Sequence, residues 1–370
     1  MHRKSYILLL LGVLTVAACK KEVEKIVIQE VEKSNSWTSS PGLFGNGSIV
    51  LNMGKDAHSV LLQSPYFLNI ISPFPGSAPY RRSGYITRAA VGLPQDVQLR
   101  LPIGPDFIAY AEPRQDTLVT LFPSSDPVTN SYRTYIRLRQ LDAQATGIVA
   151  NVPISGLPFG AINNHNYLLF GYQTASNDPN LRFVLAQVTR QPAGNLTVRA
   201  KRLLIPIGLS SARIRWIQAI DNYFLAECED AGLYKIREDG STTRVFGPRG
   251  ATTCYKWQGT VYVPAENNTM LTSTTDGETW QQYRGLPDVL NHALYKAVGD
   301  SLIGIDLTLM PQLFTLRWSG NNYSLRSLKS DGLGSGSLRG LEYLGDTVYV
   351  GTTSGLFKRP LSKFFETKLK

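Results

Sequence analysis

One short unit recurs along the 370 residues and narrows what the chain can become: an apolar stretch, a tight polar turn, then a strand of aromatic and β-branched residues. Copies stand at 62–68, 103–108, 162–169, 220–225, 257–262, 298–303 and 344–349. The turns carry hairpin chemistry, such as Gln258-Gly259, Gly299-Asp300 and Gly345-Asp346 between apolar neighbours. Strand starts at 66, 106, 167, 223, 260, 301 and 347 lie 40, 61, 56, 37, 41 and 46 residues apart. Four of these spacings fit one four-stranded propeller blade, and the two longer ones need only loop insertions. A second mark keeps the same register. Gly232-Leu233-Tyr234-Lys235 and Gly355-Leu356-Phe357-Lys358 follow their strand starts by 9 and 8 residues, where a third strand belongs. The expected fold is therefore all-β, a propeller of about seven four-stranded blades, with six or eight as the neighbouring counts.

Composition excludes the main competitors. With 32 Gly, 21 Pro and only 18% charged residues, the chain is neither a coiled coil nor a helical bundle. Its 43% hydrophobic content is too high for disorder over most of its length.

The amino terminus carries a separate signal. Arg3 and Lys4 precede an apolar run from Ile7 to Val16, too short to span a bilayer, and Ala17-Ala18 are small residues at a cleavage position. Residues 1–18 are thus expected to be a secretory signal peptide. The ending Val16-Ala17-Ala18-Cys19 resembles the bacterial lipobox, which implies acylation of Cys19 and attachment of the chain to a membrane. Residues 19–42, rich in charge and then in Ser, Pro and Gly, read as the lipidated Cys and its linker; 43–370 read as the propeller domain. By resemblance to Gram-negative sorting rules, Lys20 after the Cys implies the outer membrane. Loss of the signal takes Arg3 and Lys4 with it, so the charge falls from +10 to +8.

The most specific local signal is Ser273-Thr274-Thr275-Asp276-Gly277-Glu278-Thr279-Trp280. It resembles the Asp-box, or BNR repeat, of sialidase-like propellers, a turn between the third and fourth strands of a blade. Ser273, Gly277, Thr279 and Trp280 fall in register; Thr275 stands where Asp is usual, with Asp276 one place later. Short polar side chains satisfy turn amides, Gly permits positive φ, and Trp covers the hairpin. The resemblance implies a structural role for Ser273, Asp276, Gly277, Thr279 and Trp280. Related blades occur in sialidases, other glycoside hydrolases, sortilin-type receptors and photosystem assembly factors, so the box identifies a blade rather than an activity.

Catalytic signals are weaker. Arg100-Leu101-Pro102 is similar to the Arg-Ile-Pro motif of sialidases, and also reads as a strand edge before a proline turn. A glycosidase needs two carboxylates across a cleft; Glu227, Glu229, Asp230 and Glu266 are candidates that read first as solvated loop charges. His58, His165 and His292 lack partners at ligand spacing, so no metal or cofactor is expected, and His165 reads as a turn residue. Cys228 and Cys254 fall on the same face of adjacent blades in the propeller reading, where a disulfide is geometrically reasonable. Arg133, Arg137 and Arg139 alternate along one strand as a solvated basic face. Segments 123–131 and 174–181 are the expected contact loops. The sequence favours a membrane-anchored monomer that binds an envelope protein or polysaccharide and not nucleic acid, with a glycan-active enzyme as the alternative.

Overall fold

The computed structural model describes residues 37–40, 49–55, 59–64, 67–71, 80–83, 102–114, 117–123, 134–137, 141, 159–172, 180–207, 214–247, 250–307, 312–319, 322–333 and 336–367. Among them, the strands form seven antiparallel sheets, six of four strands and one of three. A two-residue strand, β1 (Thr38–Ser39), comes first. Blade 1 follows as β2 (Asn52–Lys55), β3 (Val60–Gln63), β4 (Phe67–Ile71) and β5 (Tyr80–Ser83). Blade 2 holds β6 (Phe107–Arg114), β7 (Thr117–Pro123) and β8 (Thr134–Arg137). Blade 3 is β9 (Phe159–Ile162), β10 (Tyr167–Tyr172), β11 (Asn180–Arg190) and β12 (Leu196–Pro206). Blade 4 is β13 (Ile214–Ile220), β14 (Tyr223–Cys228), β15 (Gly232–Arg237) and β16 (Thr242–Phe246). Blade 5 is β17 (Tyr255–Trp257), β18 (Thr260–Ala265), β19 (Thr269–Ser273) and β20 (Gln281–Arg284). Blade 6 is β21 (Ala293–Val298), β22 (Ser301–Asp306), β23 (Gln312–Ser319) and β24 (Asn322–Ser327). Blade 7 combines β25 (Leu338–Leu344), β26 (Thr347–Thr352) and β27 (Gly355–Pro360) with β1.

The seven expected blades are present, and the packing explains their sequence pattern. A strand in the middle of a blade is covered on both faces, so it reads as a continuous apolar run. In β14 every residue is buried. Phe224, Ala226 and Cys228 pack against blade 3, whereas Tyr223 and Leu225 pack against blade 5. The core is accordingly a series of apolar layers, each between two neighbouring blades, and blades 6 and 7 share the layer containing Ile303, Leu341 and Val350. At Gly304 close packing leaves no room for a side chain, because a Cβ would lie 2.2 Å from the Phe314 ring.

Three expectations need correction. The domain does not begin at residue 43. Thr38 and Ser39, assigned to the linker, pair with Lys358 and Phe357 as the outer strand of blade 7, and Trp37 is buried beside them. The first repeat was out of step by one strand. In blade 1 the turn near residue 64 joins the second and third strands, whereas in blade 2 a single bridge, Ile103↔Ile108, stands for the first strand and makes β6 the second. Val60, Leu61 and Leu62, all buried in β3, supplied an apolar run without an aromatic, which read as a lead-in.

The third correction concerns the cysteines. Cys228 and Cys254 are free, buried thiols. Their positions along the chain are as expected, but Cys228 faces blade 3 and Cys254 packs with Val261 and Leu271 between blades 4 and 5. The sheet of blade 4 therefore stands between the two sulfurs, and burial pushes both thiols well above their ordinary range. Alkylation of denatured, unreduced protein followed by peptide mapping is expected to recover both as modified free thiols; a Cys228–Cys254 linked peptide would contradict this arrangement.

Among the described residues the only α-helical segments are residue 141 and α1 (Leu361–Phe364), and no helix is long and apolar enough to cross a membrane.

Candidate functional site at the connection end of blades 4 to 6

The meander gives the ring two chemically distinct ends. Turns joining the first to the second strand and the third to the fourth lie at one end, the turn end. Turns joining the second to the third, and the links between blades, lie at the other, the connection end. First strands pack on one another across blade boundaries, β13 on β9 and β25 on β2, and so form the inner wall.

The segment Ser273–Trp280, which resembles an Asp-box, occupies the turn end of blade 5, between β19 and β20 as expected. Ser273 Oγ accepts from the amides of Gly277 at 2.8 Å and Thr275 at 3.3 Å. Thr275, which replaces the usual Asp, still performs the acceptor role: its Oγ1 takes the Thr279 amide at 2.9 Å. Asp276 and Gly277 turn the chain at φ 50° and 80°, and Trp280 Nε1 donates to the Gly277 carbonyl at 3.1 Å. The box also locks two blades together. Lys235, buried in β15 of blade 4, donates to the Asp276 carbonyl and to Glu278, each at 2.5 Å, and lies over the Tyr223 ring. The Asp276 side chain is held by Lys256 at 2.5 Å, which also reaches Asp221 at 2.6 Å. These hydrogen bonds hold the turn and tie it to blade 4. Ser273→Ala leaves the buried Gly277 amide without its acceptor and is expected to cost about 1–3 kcal/mol in urea unfolding.

His165 sits in the first turn of blade 3, as expected, with Nδ1 3.0 Å from Glu238 of blade 4. Among the described residues no group of His, Cys, Asp or Glu is arranged to hold a metal ion.

The connection end of blades 4 to 6 is different. Arg215, at the start of β13, donates to Glu229 at 3.1 Å and to Glu266 at 3.4 Å. Glu229 belongs to the second turn of blade 4 and Glu266 to that of blade 5. Behind them Glu227 closes the group: it is 2% exposed, and its Oε1 accepts the Ala251 amide at 3.3 Å. Burial pushes its carboxyl up to about 7, against the pull of that amide and of Arg215. Trp216 Nε1 donates to the Ala251 carbonyl at 2.7 Å and fixes the link between blades at this point.

One residue further along that link, a cavity of about 250 Å³ opens between blades 5 and 6. Thr252, Thr253, Asn291 and His292 form its polar side, and Leu294 and Leu307 its apolar side. Asn291 is 5% exposed; its Nδ2 donates to Asn268 at 3.3 Å, while its Oδ1 has no partner. His292 stands 3.5 Å from Asp288 on the rim.

Three of the four carboxylates proposed from sequence, Glu227, Glu229 and Glu266, are thus brought around one arginine; no hydrogen bond or ion pair joins Asp230 to them among the described residues. The sequence reading missed Arg215, Asn291 and the cavity. The usable signal was a charged residue inside an otherwise apolar inner strand, Ile214-Arg215-Trp216-Ile217. Arg137 is exposed in β8. Of the expected contact loops, Pro123 ends β7 and Asn180 and Leu181 begin β11. The remainder of those loops, and Cys19, His58, Arg100, Arg133 and Arg139, lie outside the described residues.

The chain is a β-propeller, and solved structures agree. It is similar to YCF48 bound to D1 peptide, with a TM-score of 0.51 and 11% identity, over 88% of this chain and 97% of that one. It is also similar to the extracellular domain of the hybrid two component system BT4673 from B. thetaiotaomicron, with a TM-score of 0.50 and 12% identity over 88% of this chain. It spans 39% of the length of that extracellular-domain chain. Identities this low establish the fold alone. Comparison with family models and with curated proteins returns no match.

Proposed function

We propose that the protein is a lipid-anchored propeller of the cell envelope, attached to the outer membrane through Cys19, which binds an envelope protein at its connection end. The observation that carries this reading is the mouth itself. A rigid ring brings Arg215 and Glu227 of one blade to Glu266 of the next, beside a cavity with an unpartnered buried acceptor. Sites of this kind, apolar with a few fixed polar groups, are where propellers and other rigid frames take ligands. That YCF48 was solved with a peptide bound is consistent with a protein ligand.

The test is photocrosslinking in cells, with a photoreactive residue at Thr253 in the mouth or, as control, at Thr243 on the outer strand of blade 4. A defined protein adduct from position 253 and none from 243 is expected. Adducts from neither, or equally from both, would reject the reading. The anchor is tested separately: a labelled fatty acid should enter the wild type and not Cys19→Ser.

One observation favours a second reading, a glycan-active enzyme: a glycosidase works through a pair of carboxyl groups, and Glu227, Glu229 and Glu266 gather here. Against it, Glu229 and Glu266 are both engaged by Arg215. Release of reducing ends from envelope polysaccharide, abolished in Glu227→Gln, would replace the binding reading.

A further inference from the structure

We propose that the circumference of the ring is a cationic rim that rests edge-on against a membrane surface of anionic phospholipid. Charge is sorted radially in this fold. The third and fourth strands of all seven blades, β1 included, contain no Asp or Glu, and every blade has at least one Lys or Arg there. The described carboxylates lie instead in turns and links, in first or second strands such as β14 and β25, or after α1 at Glu366. Arg137, Arg199, Arg244, Arg284, Arg326 and Lys358, one from each of blades 2 to 7, are exposed. None of the six is in an ion pair with a carboxylate among the described residues.

Charge on an outer strand also keeps sheet edges from pairing with other chains, and for that purpose either sign serves. A rim of one sign only repels itself and stands ready for a surface of the opposite sign. The residue type narrows that surface. In the fourth strands Lys201 is the only lysine, and the other cations are arginines. A guanidinium fork takes two phosphate oxygens at once, which an ammonium does not.

The tether leads to the same side of the molecule. Because β1 is itself an outermost strand, the chain running back to Cys19 departs from the rim rather than from either end of the ring. The 18 residue steps from Cys19 to Trp37 reach at most about 60 Å. An acylated Cys19, which this part rests on, thus keeps the rim among lipid headgroups at a high effective concentration. Attraction to them acts within a Debye length, about 8 Å at physiological salt, so side chains on the outermost strands are the ones that feel it. With the rim on the bilayer, the connection end faces sideways and stays open to a partner.

The experiment uses the full-length chain with vesicles of phosphatidylcholine, alone or with one-third phosphatidylglycerol, and follows by peptide mass how fast phenylglyoxal modifies each arginine. On anionic vesicles at low salt, Arg326, in the blade beside the tether, should react about fivefold more slowly than on neutral ones, and high salt should remove the difference. Arg215, at the connection end, should react alike on both. A second measurement does not depend on acylation: sedimentation of a Cys19→Ser chain with the same vesicles. There Arg199→Gln/Arg244→Gln/Arg284→Gln/Arg326→Gln should weaken binding to anionic vesicles about fivefold for each arginine at the contact. All four side chains are exposed, so this variant should fold. Equal reaction of Arg326 on both vesicles, or slowing that includes Arg215, overturns the inference. So does a quadruple variant that sediments as its parent does. Binding to an anionic polysaccharide resin without binding to vesicles overturns it too, and assigns the rim to glycan. Each of these results leaves the protein-binding reading of the connection end intact. If Cys19 takes up no fatty acid, the anchor fails and the sedimentation result alone decides the rim.

Discussion

Replacing Trp37 with Ala is expected to lower the unfolding free energy by about 3–5 kcal/mol, the range for deleting a fully buried large aromatic. Trp37 is 3% exposed. Its ring meets Phe364 edge-on at 6.0 Å, its Nε1 donates to the Lys329 carbonyl at 3.1 Å, and its amide donates to Asp331 at 3.1 Å. The buried guanidinium of Arg359 lies 5.9 Å over the ring and donates to Glu366 at 2.7 Å and to Lys329 at 3.2 Å. Trp37 thus joins the beginning of the described chain to the link between blades 6 and 7 and to α1. Losing it creates a cavity and also frees β1, held otherwise by two residue pairs. Urea unfolding followed by tryptophan-independent circular dichroism measures the loss. Thr38→Ala, which removes only an exposed side-chain bond to Lys358, should stay within about 0.5 kcal/mol of wild type. A Trp37→Ala variant as stable as Thr38→Ala would show that β1 does not hold the ring.

The second large effect concerns Glu227 and depends on pH. Its ordinary pKa of 4.5 rises to about 7 in the folded chain because burial penalises the carboxylate. Between those values the folded state holds a proton that the unfolded state has released. The stability linked to Glu227 is therefore complete below pH 4.5 and is lost as pH rises through 7. A shift of this size corresponds to at most about 3 kcal/mol. Glu227→Gln keeps an oxygen for the Ala251 amide and cannot ionise. The variant should be more stable than wild type at pH 8, by up to about 3 kcal/mol, and nearly equal to it at pH 4.5. Thermal midpoints of the two proteins across this range test the sign directly. Parallel curves would mean that Glu227 titrates near its ordinary value and is not desolvated.

The parts of the fold that were legible in sequence are those set by local chemistry. Turns such as Gln258-Gly259, with Gln258 at φ 47° and Gly259 at 80°, declare themselves because few residues tolerate that backbone. The turn at Ser273–Trp280, which resembles an Asp-box, is legible for the same reason, and at Thr275 a hydroxyl accepts where the resemblance expects a carboxylate. Ring closure was not legible. A strand of two residues has no period, and its partner Lys358 lies 320 positions away. The cysteine pair failed on parity: sequence spacing located the two blades but not which face of β14 carries Cys228. The mouth was half legible. Glu227, Glu229 and Glu266 were visible as loop charges, but only the ring brings Glu266 to Arg215, 51 positions apart. Lys235 offered a cue that was not used, since a cation in the middle of a buried strand demands a fixed partner.

The position of β1 has a mechanical consequence. The segment that precedes Trp37 enters the ring at the strand that completes blade 7. If the chain is moored by Cys19, every tug from membrane motion or from a bound partner is delivered to Thr38↔Lys358 and Ser39↔Phe357 before it reaches any other pair. Pulling along that line tests a strand of only two residues first, beside the buried indole of Trp37. Under force the ring should open at this seam, with six blades still folded.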